Sequence, residues 1–214
     1  LYVRAGSLHE TADEAGLAHF LEHLVFRGSV HRPGDRIVRE IEALGGEINA
    51  WTSYELTSYH ALVGSRHFMH ALDALCEMVA SPGLPPDTFE TERKVVLEEI
   101  GKGDEQPDMA LENLQLAQLF GAHPLARPIY GATQTLGRLD RNAARTFHEQ
   151  TYRAGNLVVV AVGDIDPARV LEAVEARLRP FPPGPSLRVV PPVAAPHGPY
   201  AGVVLRDVEE ARFG

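Results

Sequence analysis

The period of the apolar positions changes several times along the chain, and each change marks an element. Leu17, Phe20, Leu21, Leu24, Val25 and Phe26 recur at helical spacing, predicting a helix over 15–26 that Arg27-Gly28-Ser29 ends, with Gly28 as the C′ residue. A second helix is expected over 35–44, closed by Gly45-Gly46. Strands follow near 46–53 and 56–63, the second reading TSYHALV. Helices are then expected at 66–80, 86–102 and 108–120, with a short turn near 133–137 and a helix at 140–152. Residues 157–163, LVVVAVG, form a continuous apolar run, so a strand over 156–162 is expected to be buried on both faces. Asp166 as N-cap and Pro167 at the first helical position start a helix over 167–178. Leu1 to Ala5 reads as the tail of a strand. The order of elements is that of an α+β domain.

Inside the first helix lies the pentapeptide His19-Phe20-Leu21-Glu22-His23, H-x-x-E-H. The two histidines are four residues apart, which places both imidazoles on one helix face. Two neutral imidazoles converging on one point suit zinc, at roughly 2.0–2.1 Å per bond. Glu22 leans toward the same face and can reach a water there without being a ligand. The order is that of the inverzincin signature. The spacing alone fits equally well a core-facing helix with two satisfied histidines. A catalytic zinc needs a third protein ligand and an open position. The acidic helix PDTFETERKVVLEEIGKG offers Glu92, Glu98 and Glu99; Glu92 and Glu99 share a face, and Glu98 points away from it.

These residues sit in blocks that resemble the pitrilysin family, which includes insulin-degrading enzyme and the mitochondrial processing peptidase. Gly16 through Gly28 is similar to the family's G-x-A-H-x-x-E-H-x-x-F-x-G block. Gly45 to Ser53, with Glu55 and Thr57, resembles its N-A-x-T strand pair, and Glu92-Arg93 through Glu98-Glu99 its E-R-x-V helix. His123-Pro124-Leu125 and the segment from Gly131 to Leu136 resemble its downstream H-P-x-x-x-P-x-x-G stretch. The resemblance spans nearly the whole chain and implies a mixed, largely antiparallel sheet with helices packed on one side. It implies one zinc per chain held by His19, His23 and Glu99, which lies 76 residues beyond His23. Glu98 is the rival third ligand. Glu22 would be the general base of a metalloendopeptidase. Glu92 would orient a histidine ligand, against the plain alternative of a solvated helix face. Asn49 and Ala50, on an edge strand, would contact an extended peptide substrate by backbone pairing, against the alternative of a purely structural edge. The family also contains non-catalytic assembly or binding subunits of the same fold. Those usually lack part of the ligand and base set, whereas all four positions are present here.

Composition changes this picture little. The chain has 214 residues and a formal charge of −9, which argues against a nucleic-acid partner. No stretch reaches the length of a membrane span. Cys76, the single cysteine, lies in an apolar helical run and reads as a buried small side chain. His31, His60, His67, His70, His123, His148 and His197 lack accompanying ligand motifs and are not expected to bind metal. Eight of the sixteen prolines fall between 180 and 199, the composition of a stiff linker. The expected division is therefore a zinc-binding domain at 1–179, truncated at its N-terminus, a linker at 180–200, and at 201–214 the start of a second homologous domain. In the family two such halves close around the peptide, so the expected partner is a C-terminal half in cis or a paralogous or identical subunit. A soluble bacterial protein of cytoplasm or periplasm is expected.

Overall fold

The structure is a computed structural model and describes residues 1–193. The expected second-domain start at 201–214, and the end of the linker, lie outside the described residues. Four strands form one sheet: β1 (Tyr2–Val3), β2 (Glu47–Thr52), β3 (Thr57–Leu62) and β4 (Leu157–Val158). Their order is β2-β3-β1-β4 and every pair is antiparallel. Among the described residues the α-helices are eight: α1 (Leu17–Val25), α2 (Arg36–Ala43), α3 (Phe68–Ala80), α4 (Pro86–Glu105), α5 (Pro107–Phe120), α6 (Thr133–Leu136), α7 (Arg141–Thr151) and α8 (Pro167–Leu178). The α+β reading holds, with an antiparallel sheet.

Strand β2 shows how the sheet is sided. Along Glu47–Thr52, exposed and half-buried residues alternate. Ile48 and Ala50 pack on the core, while Glu47, Asn49 and Trp51 stay exposed, as a period of two requires. Tyr59 on β3 is fully buried, and its hydroxyl meets that of Tyr152, at the end of α7, at 2.8 Å. Buried hydroxyls that pair in this way avoid the cost of an unsatisfied polar group.

Helix α1 runs through the centre of the core. Leu17, Phe20, Leu21, Leu24 and Val25 have no exposed surface, and burying each side chain contributes roughly 1.5–3 kcal/mol. Helix α4 lies against α1 along Phe89, Glu92, Val96 and Ile100, a stripe at helical spacing. Phe89 meets Phe20 edge to face at 4.8 Å. Helix α4 runs on to Glu105, past the expected end at 102. It stops where Gln106, extended, precedes Pro107, which starts α5. Gly28 has φ +103°, but helix α1 ends earlier and Phe26 is its C-cap.

The apolar run 157–163 corrects the expectation of a strand buried on both faces. Only Leu157 and Val158 pair, with β1, and β1 offers them two positions. Beyond Val158 no strand lies alongside among the described residues, and Val160 and Val162 are 59% and 91% exposed. The expected strand over 1–5 is likewise cut to Tyr2–Val3. Cys76 is buried, as expected.

Arg188 fastens the segment after α8 to the body. Its guanidinium donates to both carboxylate oxygens of Glu14, to Gln150 Oε1 and to the carbonyl of His9, and it covers the Phe147 ring. Burial alone would raise the Glu14 carboxyl, but the Arg188 and Thr11 bonds outweigh it and lower it from 4.5 to about 2. A depressed folded-state pKa stabilises fully above the unfolded value and is lost as pH falls through the folded one. We expect Glu14→Gln to cost about 1–2 kcal/mol at neutral pH. The difference from wild type should vanish between pH 4.5 and about 2. Urea unfolding followed by circular dichroism across that window checks it; a deficit independent of pH would refute the assignment.

Candidate metal centre

The site is built on the only stretch of α1 that escapes full cover. Glu22 and His23 are half-buried, and His19 is buried beside them. Helical spacing brings the two imidazoles together edge to face, with centroids 4.8 Å apart. Helix α4 brings Glu99 opposite. His19 Nε2 lies 3.8 Å and His23 Nε2 3.5 Å from Glu99 Oε2, both beyond ordinary hydrogen-bond length. Three donors thus converge without bonding one another, all within 4.8 Å. Donors at zinc distances on a tetrahedron sit about 3.3–3.6 Å apart, so a zinc ion fits with small adjustments. Burial, with a smaller contribution from His23, lowers the His19 imidazole to about 4, so at neutral pH it is the uncharged form a metal requires. His19 Nδ1 is buried without a hydrogen-bond partner among the described residues.

Of the three candidate glutamates on α4, Glu98 is exposed and outside this group, whereas Glu99 is inside it. Glu92 is 2% exposed, which excludes the solvated-face alternative. Its Oε2 lies 3.4 Å from His23 Nδ1, and its Oε1 lies 2.7 Å from Arg27 Nε. A carboxylate on the rear nitrogen of a ligand histidine fixes its tautomer and ring plane. Arg27 supplies the charge that makes a buried carboxylate tolerable.

Glu22 receives a 2.5 Å hydrogen bond from the Thr52 hydroxyl at the end of β2. Burial pushes its carboxyl above the usual range, against the Thr52 bond and His23, while Glu99 adds to the rise. Asn49 and Ala50 lie on β2, the last strand of the sheet among the described residues. Ser53 N–H donates to the Leu56 carbonyl at 2.8 Å. Alternation along an antiparallel pair then turns the backbone groups of Thr52, Ala50 and Ile48 outward, away from β3. The Ala50 N–H is taken by the Asn49 side chain at 2.8 Å. The free edge is therefore open for pairing, apart from this one internal bond.

Several contributors escaped the sequence reading. Glu10, 5% exposed, accepts from the N–H groups of Ala18 at 2.7 Å and Gly16 at 3.0 Å, closing the N-terminus of α1. Burial raises its carboxyl to about 8, against those two bonds and Arg127. No spacing rule links residue 10 to this helix. Tyr130 meets His19 edge to face at 5.3 Å. Its approach depends on Gly131, at φ +78°, where a Cβ would fall 2.2 Å from the Ala15 carbonyl. Thr52 was legible in principle, since period two puts it on the same side as Ile48 and Ala50. Among the described residues no other histidine lies in the group of His19, His23 and Glu99; His148 is buried on the Val79 carbonyl at 2.8 Å, and His197 lies outside the described residues.

Comparison with known proteins matches this chain to a family. Residues 1–133 match the Insulinase (Peptidase family M16) profile, and 138–213 match the Peptidase M16 inactive domain. An uncharacterized zinc protease of Mycobacterium tuberculosis is 40% identical over 166 residues, 78% of this chain and 38% of its own. A protease from Helicobacter pylori superposes with a TM-score of 0.83 at 25% identity, covering 91% of this chain and 47% of that one. The first half of the periplasmic protease PqqL from Escherichia coli gives 0.78 at 26%, covering 89% and 42%. The chain therefore spans under half the length of the curated relatives it matches. No helix among the described residues is long and apolar enough to cross a membrane. The chain belongs to the insulinase family of peptidases, M16.

Proposed function

We propose that this chain is the metal-binding part of a zinc endopeptidase that cleaves extended peptides. The observation that carries the reading is the convergence of His19, His23 and Glu99 on one point, with Glu22 on the same helix. A zinc ion held there would polarise the scissile carbonyl and acidify a water molecule. Glu92, 3.4 Å behind His23 Nδ1, would orient that ring once it ligates. Glu22, tied at one oxygen to Thr52, takes the proton of the attacking water and returns it to the leaving amine. The outward groups of Ile48, Ala50 and Thr52 pair with the backbone of the peptide, so recognition depends little on its side chains. The Asn49 side chain leaves the Ala50 N–H as the peptide arrives. A homologous half, in the same chain or in a second subunit, closes over the site; the match to the first half of a two-half protease supports this. The non-catalytic reading draws support from the inactive-domain match over 138–213, but every residue assigned chemistry here lies before 133.

Elemental analysis of the full-length protein should find about one zinc per chain. Glu99→Gln should lower that occupancy and Glu98→Gln should keep it. The reverse pattern would move the third ligand to Glu98.

The base has its own test. Glu22→Gln in the full-length protein should retain zinc, while cleavage of a quenched fluorescent peptide falls on the order of 10²–10⁴-fold. Turnover near wild type would remove Glu22 from the mechanism.

A further inference from the structure

Strand β2 carries a hydroxyl whose only proton has one good destination. Thr52 Oγ1 has two polar neighbours: Glu22 Oε2 at 2.5 Å and Thr57 Oγ1 at 3.4 Å. The Thr57 proton is committed to the Ala5 carbonyl at 2.8 Å. Thr57 therefore cannot donate to Thr52, and its oxygen lies too far away to compete as an acceptor. That leaves the Thr52 hydroxyl donating to Glu22, a charge-assisted bond of the strong kind.

We propose that Thr52 is a positioning residue for the base: it fixes the Glu22 carboxylate by holding Oε2 and leaves Oε1 to handle the proton. The proposal rests on Glu22 being the base and deepens that reading. A glutamate side chain has three rotatable bonds, and a half-buried one needs a fixed partner to keep one rotamer. Thr52 is itself rigid. It is β-branched, sits in a paired strand opposite Thr57 and is half-buried. Two residues earlier on the same strand, Ala50 turns its backbone to the open edge. One strand thus sets both the peptide track and the orientation of the base, so the two keep a common register.

The test uses the full-length protein and the variants Thr52→Val, which keeps shape and removes the hydroxyl, and Thr52→Ser, which returns it. Thr52→Val should lower kcat on the order of tenfold to a hundredfold, the scale of a catalytic group displaced by about 1 Å. KM and bound zinc should stay at wild-type values, and Thr52→Ser should restore most of the turnover. On a Glu22→Gln background, Thr52→Val should add no further loss. In the zinc-free protein, infrared difference spectra against Glu22→Gln isolate the Glu22 carboxylate stretch. That band should shift in Thr52→Val and return in Thr52→Ser. A Thr52→Val variant with full kcat and an unmoved band overturns the proposal. So does a loss that Thr52→Ser fails to repair, or one that appears as KM or zinc content. If Glu22→Gln itself leaves turnover intact, the base reading fails instead; the infrared band still decides whether Thr52 holds Glu22.

Discussion

Everything at the site depends on the burial of α1. Seven of its nine residues are buried, and only Glu22 and His23 are not. Packing on every other side fixes the helix in rotation, because turning it would expose Phe20 or Leu24 and bury a carboxylate. The hydrophobic core therefore decides where the two imidazoles point. The N-terminus of the helix is held as firmly. Glu10 accepts two of its free N–H groups, and Gly16 and Gly131 let the backbone of the 130–131 turn pass in contact with it. Without side chains at those two glycines, Tyr130 reaches His19. A bulkier turn would push the loop outward and loosen one wall of the site.

The same burial creates an electrostatic problem whose form suits a cation. Glu22, Glu92 and Glu99 surround two histidines, with Glu92 buried and Glu22 half-buried. Among the described residues only Glu92 of these three has an arginine partner, Arg27 at 2.7 Å. His19 does not offset the others by taking a proton, since burial keeps it neutral down to about pH 4. Like charges within a few ångströms repel by several kcal/mol at intermediate dielectric. A divalent ion between His19, His23 and Glu99 would relieve that repulsion and use the lone pairs that face one another unbonded. The donors already stand near binding distance, within 4.8 Å of one another.

The sequence made part of this legible. Helical periodicity placed α1 and α4, and a four-residue spacing put both histidines on one face. The seven-residue spacing of Glu92 and Glu99 on α4 gave them a common face, and both do lie toward the histidines while Glu98 is exposed. What failed was long-range. Apolarity in 157–163 predicted cover on two faces, but cover depends on neighbouring strands, and β1 offers two paired positions. Glu10 and Arg27 are ordinary polar residues by any local rule. Their roles come from tertiary contacts that bring residue 10 to residue 18 and residue 27 to residue 92. Periodicity reads one element at a time; it is silent on which charged side chain another element will enclose.

The open edge of β2 adds a last constraint. An exposed strand edge is a template for unwanted pairing, and proteins blunt such edges with charges and local caps. Here Glu47 and Asn49 stand exposed on β2, and Asn49 occupies the Ala50 N–H. That cap is a single neutral hydrogen bond between adjacent residues, worth about 1 kcal/mol net. A peptide that pairs with Ile48, Ala50 and Thr52 forms several such bonds and displaces one, so an extended backbone of the right register outcompetes the cap. A short or poorly aligned contact does not. On the proposed reading the edge would be protected at rest and available to a long extended chain, with the discrimination set by the number of backbone bonds formed. Because Thr52 ends this edge and also donates to Glu22, a chain that filled the edge to its end would lie beside the Glu22 carboxylate.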